Sequence, residues 1–204
     1  MIVLGLTGSI GMGKTTAAGI FRRLGAPVFD ADRCVHDLYE GPAVDRLESA
    51  FPGVKINGRI DRNALGALIL RNPDALARLE SLVHPLVLER RLRFLSKFRR
   101  LGARLVVLDL PLLFETASEN DIDAIVVVTT SVAVQHARVL SRPRMNGEKL
   151  AAILDRQIPD PQKRKFAHFV IKSDDSLVST ERQIKVVISA VVNCEYGNKK
   201  ADGI

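Results

Sequence analysis

The chain has 204 residues, 47% of them hydrophobic, and a formal net charge of +7. That length suits one domain carrying an inserted subdomain, and aromatics at 5% with no Trp point to an aliphatic core. No apolar run is long enough to cross a membrane and residues 1–6 are too short for a signal peptide, so a cytoplasmic protein without a membrane partner is expected.

The first apolar run, Ile2-Val3-Leu4-Gly5-Leu6, reads as a buried strand, and it leads into Gly8-Ser9-Ile10-Gly11-Met12-Gly13-Lys14-Thr15. An amphipathic segment, residues 16–24, follows with Ala17, Ile20, Phe21 and Leu24 at helical spacing. Strand, glycine-rich loop and helix in that order form the setting of a phosphate-binding P-loop. The glycines let the backbone wrap a phosphate closely, and the helix adds its positive end. Lys14 supplies a charge for the outer phosphates, and the Thr15 hydroxyl can ligate magnesium. Gly25 stops the helix and Pro27 keeps it from resuming. Val28-Phe29 is a short strand that ends in Asp30-Ala31-Asp32. Ligands of open parallel sheets sit at the carboxyl ends of strands. Two carboxylates one residue apart point to opposite sides of an extended chain. One is therefore expected to cap the next helix, residues 33–39, and the other to face a bound phosphate, where it could take a proton from an attacking hydroxyl.

Residues 40–104 read as an all-helical insertion too long for an ordinary crossover. A short helix and a loop fill residues 43–58. Asp61 caps a helix running to Leu70, and Asn72-Pro73 caps another running to Leu82. His84-Pro85 opens a longer one with Leu88, Leu92 and Leu95 on one face. His84 either caps or packs there, or touches substrate. The arginines from Arg90 to Arg100 read as a solvated face.

Leu105-Val106-Val107-Leu108-Asp109 is the clearest buried strand, and its terminal carboxylate is placed to help hold magnesium. The apolar segment Leu110 to Glu115 follows at the edge of the expected cleft, and a further strand covers residues 124–128. Ser131 caps a helix, residues 132–140, and Asn146 caps one over residues 147–157, which Pro159 and Pro161 terminate. Arg138, Arg142, Arg144 and Arg156 on and between these helices suit a mobile lid that neutralises a transferring phosphoryl group. Residues 166–171 form a fifth strand, Thr180 opens the last helix, and residues 195–204 are a polar tail. Cys34 and Cys194 lack metal-ligand spacing and are expected as reduced, unconnected thiols.

The P-loop with Leu6-Thr7 before it and Thr16 after it, Phe29-Asp30-Ala31-Asp32, His84-Pro85-Leu86, Pro111-Leu112-Leu113-Phe114-Glu115, and Arg138 with Arg142 and Gln157 occur in one order over nearly the whole chain. That order resembles the dephospho-coenzyme A kinase family. The resemblance implies an α/β P-loop NTPase fold like that of nucleoside-monophosphate kinases, in three layers. It implies a five-stranded parallel core over residues 1–39, 105–137 and 162–194, a helical substrate subdomain over 40–104 and a lid over 138–161. The implied reaction is the last step of coenzyme A synthesis, in which ATP with Mg2+ phosphorylates the ribose 3′-hydroxyl of dephospho-coenzyme A. The resemblance further implies Asp32 as catalytic base, with Lys14, Arg138 and Arg142 acting on the phosphates. Gly8, Gly11, Met12, Gly13, Lys14, Thr15 and Thr16 would bind ATP, with Thr15 and Asp109 at the metal. His84, Pro111, Leu112, Leu113 and Glu115 would line the acceptor site beside Asp32. The chain departs from the family pattern after the last strand, where Lys172-Ser173-Asp174 stands in place of an Asn, and near Arg156, where an arginine is shifted.

A kinase for another small nucleotide or hydroxyl acceptor would share the P-loop, lid and acidic base. A nucleotide-dependent nucleic-acid-binding protein would account for the basic charge, but the arginine clusters carry no interleaved aromatics for stacking. The expected partner is therefore a small molecule, not a nucleic acid, acting on a monomer or a weak homo-oligomer.

Overall fold

The computed structural model describes residues 1–70, 72–115, 121–143 and 145–193. In chain order its strands are β1 (Ile2–Thr7), β2 (Val28–Asp30), β3 (Lys55–Ile56), β4 (Arg59–Ile60), β5 (Leu105–Asp109), β6 (Ala124–Thr129) and β7 (Phe169–Lys172). Its helices are α1 (Lys14–Arg23), α2 (Ala31–Tyr39), α3 (Val44–Ala50), α4 (Arg62–Ile69), α5 (Pro73–Arg100), α6 (Val132–Leu140), α7 (Gly147–Leu154), α8 (Asp160–Lys165) and α9 (Leu177–Asn193). The chain divides into two units, Met1–Phe29 with the chain from Phe98 onward, and Asp30–Lys97.

The first unit is built on a five-stranded sheet in the order β2-β5-β1-β6-β7. Strands covered on both faces need no polar side, and β5 and β6 are buried along their whole lengths. β1 pairs in parallel with β5, Leu6 opposite Asp109, and on its other side with β6, Thr7 opposite Val127. β7 continues the sheet in parallel, with Lys172 opposite Thr129. Alternate strand residues, among them Leu4, Leu6, Val107, Val126 and Val128, form one face of the sheet and pack against Ala17, Ile20 and Phe21 of α1 and Ile184, Val187 and Val191 of α9. On the opposite face, Gly5 is closely covered. A Cβ there would lie 2.8 Å from Ile122 Cδ1 and 3.3 Å from Leu113 Cδ2. No helix among the described residues is long and apolar enough to cross a membrane.

The second unit departs from the all-helical expectation. Residues 55–60 form an antiparallel hairpin, Lys55 opposite Ile60, around Asn57 and Gly58 at φ 50° and 77°. Two consecutive positive φ values match the tight turn whose twist suits paired strands. Glu48 fastens the approach to the hairpin by accepting the Gly53 and Lys55 N–H groups at 2.9 and 2.6 Å. These bonds hold its carboxyl below the usual range. Asp61 caps α4 as expected, accepting from Asn63 N and Ala64 N at 2.8 and 2.9 Å. The two helices expected on either side of His84 are one, α5, 28 residues long with Pro85 inside it. A proline there removes one backbone bond and costs ~3 kcal/mol, which the remaining turns of so long a helix absorb. Leu95 is buried, but Leu88 and Leu92 are 43% and 49% exposed, so the expected apolar face is only partly covered.

Two later boundaries also shift. Pro159 and Pro161 do not merely end a helix. Pro159 is the N-cap of α8 and Pro161 lies in its first turn, a place where the missing N–H costs nothing. The last helix starts at Leu177, where the Ser176 hydroxyl accepts the Ser179 N–H at 3.2 Å. Arg144, Cys194 and the polar tail lie outside the described residues.

Candidate active site

The glycine-rich loop leaves the carboxyl end of β1 and enters α1 at Gly13, whose φ is 90°. No side chain caps α1 and its first turn holds no acidic residue. With no acidic side chain in its first turn, the positive end of the helix is suited to an anion. The loop is braced from outside. Gln157 Oε1 accepts the Ile10 N–H at 3.1 Å, and Gln135 Nε2 donates to the Ile10 carbonyl at 2.8 Å. Ser173 Oγ donates to the Met12 carbonyl at 2.8 Å, and the Met12 sulfur takes the Thr130 N–H at 3.2 Å. Gly11 is hemmed in by this bracing, since a Cβ on it would lie 2.6 Å from Val139 Cγ2. Gln135 and Ser173 were not among the expected site residues. Gln135 is one of three polar residues on α6, with His136 and Arg138, and nothing in the sequence singles it out, whereas Ser173 lies in Lys172-Ser173-Asp174, where the sequence departs from the pattern it otherwise resembles.

Lys14 Nζ donates to Asp109 Oδ1 at 2.6 Å, and both side chains are largely buried, with 15% and 4% of their surface exposed. The parallel pairing of β1 with β5 sets Asp109 opposite Leu6, beside the end of β1 from which the loop leads to Lys14. Thr15 and Thr16 are exposed at the start of α1.

Arg138 comes from the last turn of α6. Its Nη1 donates to Ser173 Oγ at 2.8 Å and its Nη2 to the Ser173 carbonyl at 2.6 Å. This clasp sets the guanidinium beside Gly13, where an added Cβ would meet Nη1 at 3.5 Å. Arg142 and Arg156 are exposed. Asn146 caps α7 through the Lys149 N–H at 2.9 Å, as expected. Asp174 follows Ser173 and accepts from the Thr130 hydroxyl and from Ser131 N, and these bonds hold its carboxyl below the usual range.

The segment after β5 is fixed at both ends. Thr7 Oγ1 donates to the Pro111 carbonyl at 3.3 Å. Pro111 is half-buried, Leu112 is exposed and Leu113 is wholly buried. Glu115 Oε1 accepts the Ile158 N–H at 2.9 Å and lies 2.8 Å from the Nζ of Lys163, a lysine with no exposed side-chain surface. Burial pushes the Glu115 carboxyl up, but Lys163 and the Ile158 N–H outweigh it and hold it below the usual range. Lys163 escaped the sequence reading because nothing in the run Gln162-Lys163-Arg164-Lys165 marks one member as buried.

In the second unit, Asp30 is the N-cap of α2 and accepts the Arg33 N–H at 2.9 Å. The helix begins at Ala31, two residues earlier than the expected span 33–39, so Asp32 is exposed in the first helical turn rather than on an extended chain. His84 is exposed in the middle of α5, neither at a helix start nor packed.

A family model described as dephospho-CoA kinase matches residues 2–179. A dephospho-CoA kinase of Rhizobium meliloti is 51% identical over 92% of this chain and 97% of its own length. One from Nitrobacter winogradskyi is 48% identical over 93% and 96%. The solved structure of a Thermus thermophilus protein superposes with a TM-score of 0.80 at 37% identity, covering 92% of this chain and 96% of that one. The dephospho-CoA kinase of Campylobacter jejuni does so with a TM-score of 0.65 at 26% identity, covering 94% and 98%. A shikimate kinase from Acinetobacter baumannii, 17% identical with a TM-score of 0.51, shares the fold. The chain belongs to the dephospho-CoA kinase family.

Proposed function

We propose that this chain, a kinase that phosphorylates the ribose 3′-hydroxyl of dephospho-CoA with ATP, works through the following residues. The amides of residues 11–16 and the start of α1 receive the phosphates of ATP. Lys14 exchanges its Asp109 partner for the outer phosphate oxygens, a short move for a flexible four-carbon side chain. Magnesium usually takes one or two protein oxygens and keeps water and phosphate for the rest. The Thr15 hydroxyl and the Asp109 carboxylate fit that demand and would hold it. Bound there, it would supply positive charge against the phosphates of ATP.

Asp32 is the proposed base. The carboxylate of Asp30 caps α2, while that of Asp32 has no capping task and faces solvent. It takes the proton of the 3′-hydroxyl as that oxygen attacks the γ-phosphorus in line. Arg138, already aimed at the loop, stabilises charge on the transferring group. Arg142 joins it when the lid, residues 138–161, closes and excludes water. Pro111 and Leu112 line the acceptor site, with His84 contributed from the helical subdomain. Family membership together with the pairing of Lys14, at the start of α1, with Asp109, at the carboxyl end of β5, supports this reading most strongly.

The test is Asp32→Asn. It keeps the size and removes the base, so kcat falls by about 10²- to 10⁴-fold while ATP affinity, measured by calorimetry, stays that of the wild type. Near-normal turnover would remove Asp32 from the mechanism.

A further inference from the structure

Lys163 makes an unusual investment. Its side chain has no exposed surface, and among the described residues its ion pair is with Glu115 Oε1, at 2.8 Å. Among the described residues the pair is incompletely satisfied, because Glu115 Oε2 is buried without a hydrogen-bond partner and Lys163 Nζ makes no hydrogen bond of good geometry. Burying two charges costs several kcal/mol per ion, and such pairs seldom stabilise more than well-packed apolar residues would. What the pair orients is therefore the better account of it than stability.

Its partner is the end of the loop after β5. Glu115 Oε1, placed by Lys163, also accepts the Ile158 N–H. Ile158 directly follows Gln157, whose side chain accepts the Ile10 N–H in the P-loop. Two residues on, Asp160 Oδ2 accepts from the Thr129 hydroxyl at the end of β6 at 2.9 Å. Residues 157–163, which include the anchored end of the proposed lid, thus tie three neighbouring loops to one another.

We propose that Lys163 is a positioning residue: through Glu115 it fixes the Pro111–Glu115 loop against residues 157–158 and so sets the acceptor site relative to the P-loop. This rests on the reading of that loop as part of the acceptor site. Glu115 then acts on the acceptor by holding Pro111 and Leu112 in place, its own carboxylate being engaged by Lys163 and Ile158.

Lys163→Met alone leaves a buried carboxylate without its cation and risks misfolding. The double variant Lys163→Met/Glu115→Leu removes both charges and nearly keeps the volume; the gain from losing two buried charges offsets the acceptor lost by the Ile158 N–H, so its Tm is expected to stay within a few degrees of that of the wild type. With the loop released, kcat/KM for dephospho-CoA should fall about tenfold to a hundredfold, with the KM for ATP within about twofold. Lys163→Arg should recover part of the loss. Wild-type constants in the double variant would overturn the proposal. So would a fall in Tm with equal losses toward both substrates, because that marks a purely structural pair. The wild-type enzyme in the same assay separates the two premises. If it releases no ADP on dephospho-CoA, the acceptor reading itself fails and the proposal falls with it.

Discussion

Two glycines with nearly the same backbone conformation separate the strain of a left-handed residue from the crowding around the P-loop. Gly13 and Gly25 have φ of 90° and 87°. A Cβ on Gly25 meets nothing within 4 Å, whereas one on Gly13 lies 2.9 Å from Ser173 Oγ and 3.1 Å from Ser173 Cβ. Gly25→Ala therefore carries only the left-handed penalty, ~1–2 kcal/mol. Gly13→Ala adds an overpacking term of about 1–3 kcal/mol, for roughly 2–5 kcal/mol together. At ~2–4 °C per kcal/mol for a chain of this size, Gly25→Ala should lower Tm by about 2–8 °C and Gly13→Ala by about 4–20 °C. The function splits further. Displacing Ser173 disturbs both the Met12 carbonyl and the Arg138 guanidinium it holds, so Gly13→Ala should raise the KM for ATP and lower kcat. Gly25→Ala should leave both unchanged. Thermal melts followed by circular dichroism and a coupled assay of ADP release read the two effects. Equal melting temperatures and equal kinetic constants for the two variants would refute the clasp of Ser173 on the loop.

Glu115 gives a pH signature. Its folded carboxyl titrates lower than the unfolded value of about 4.3. Its stabilising contribution is thus present above that pH and is lost as pH falls through the folded value. Glu115→Gln should flatten the decline in Tm below about pH 4.3, and an unchanged acid profile would contradict the assignment. Lys14→Ala should lower kcat/KM for ATP by about 10²- to 10³-fold. It also takes one partner from the buried Asp109, so the free enzyme should melt earlier than the wild type, a loss measurable without any nucleotide.

Much of the fold was legible because its signals are local. β5 and β6 are aliphatic runs ending in Asp109 and Thr129, and strands buried on both faces require such runs. Asp30, Asp61, Ser131 and Asn146 announce helix starts through the short polar side chain that satisfies an otherwise unpaired N–H. Where the reading slipped, a local rule met a competing one. Pro85 ought to break a helix, and the 28-residue α5 carries it. Pro159 and Pro161 end one helix but also begin another. The strands of the hairpin are two residues each, below the length at which alternation can be seen. The P-loop was plain from spacing, but its supports were not. Gln135, Ser173 and Lys163 reach their partners across separations of 125, 161 and 48 residues respectively in the chain, and only the sheet order brings those segments together.

The central claim concerns the acceptor, and the most direct measurement is the rate of ADP release with ATP and magnesium across a set of acceptors. Dephospho-CoA, adenosine, AMP and shikimate are compared at equal concentration, and the product is analysed for the position of the new phosphate. The account predicts fast turnover with dephospho-CoA alone and a phosphate on the ribose 3′-oxygen. Turnover that dephospho-CoA does not stimulate, or that another acceptor stimulates more, would contradict it.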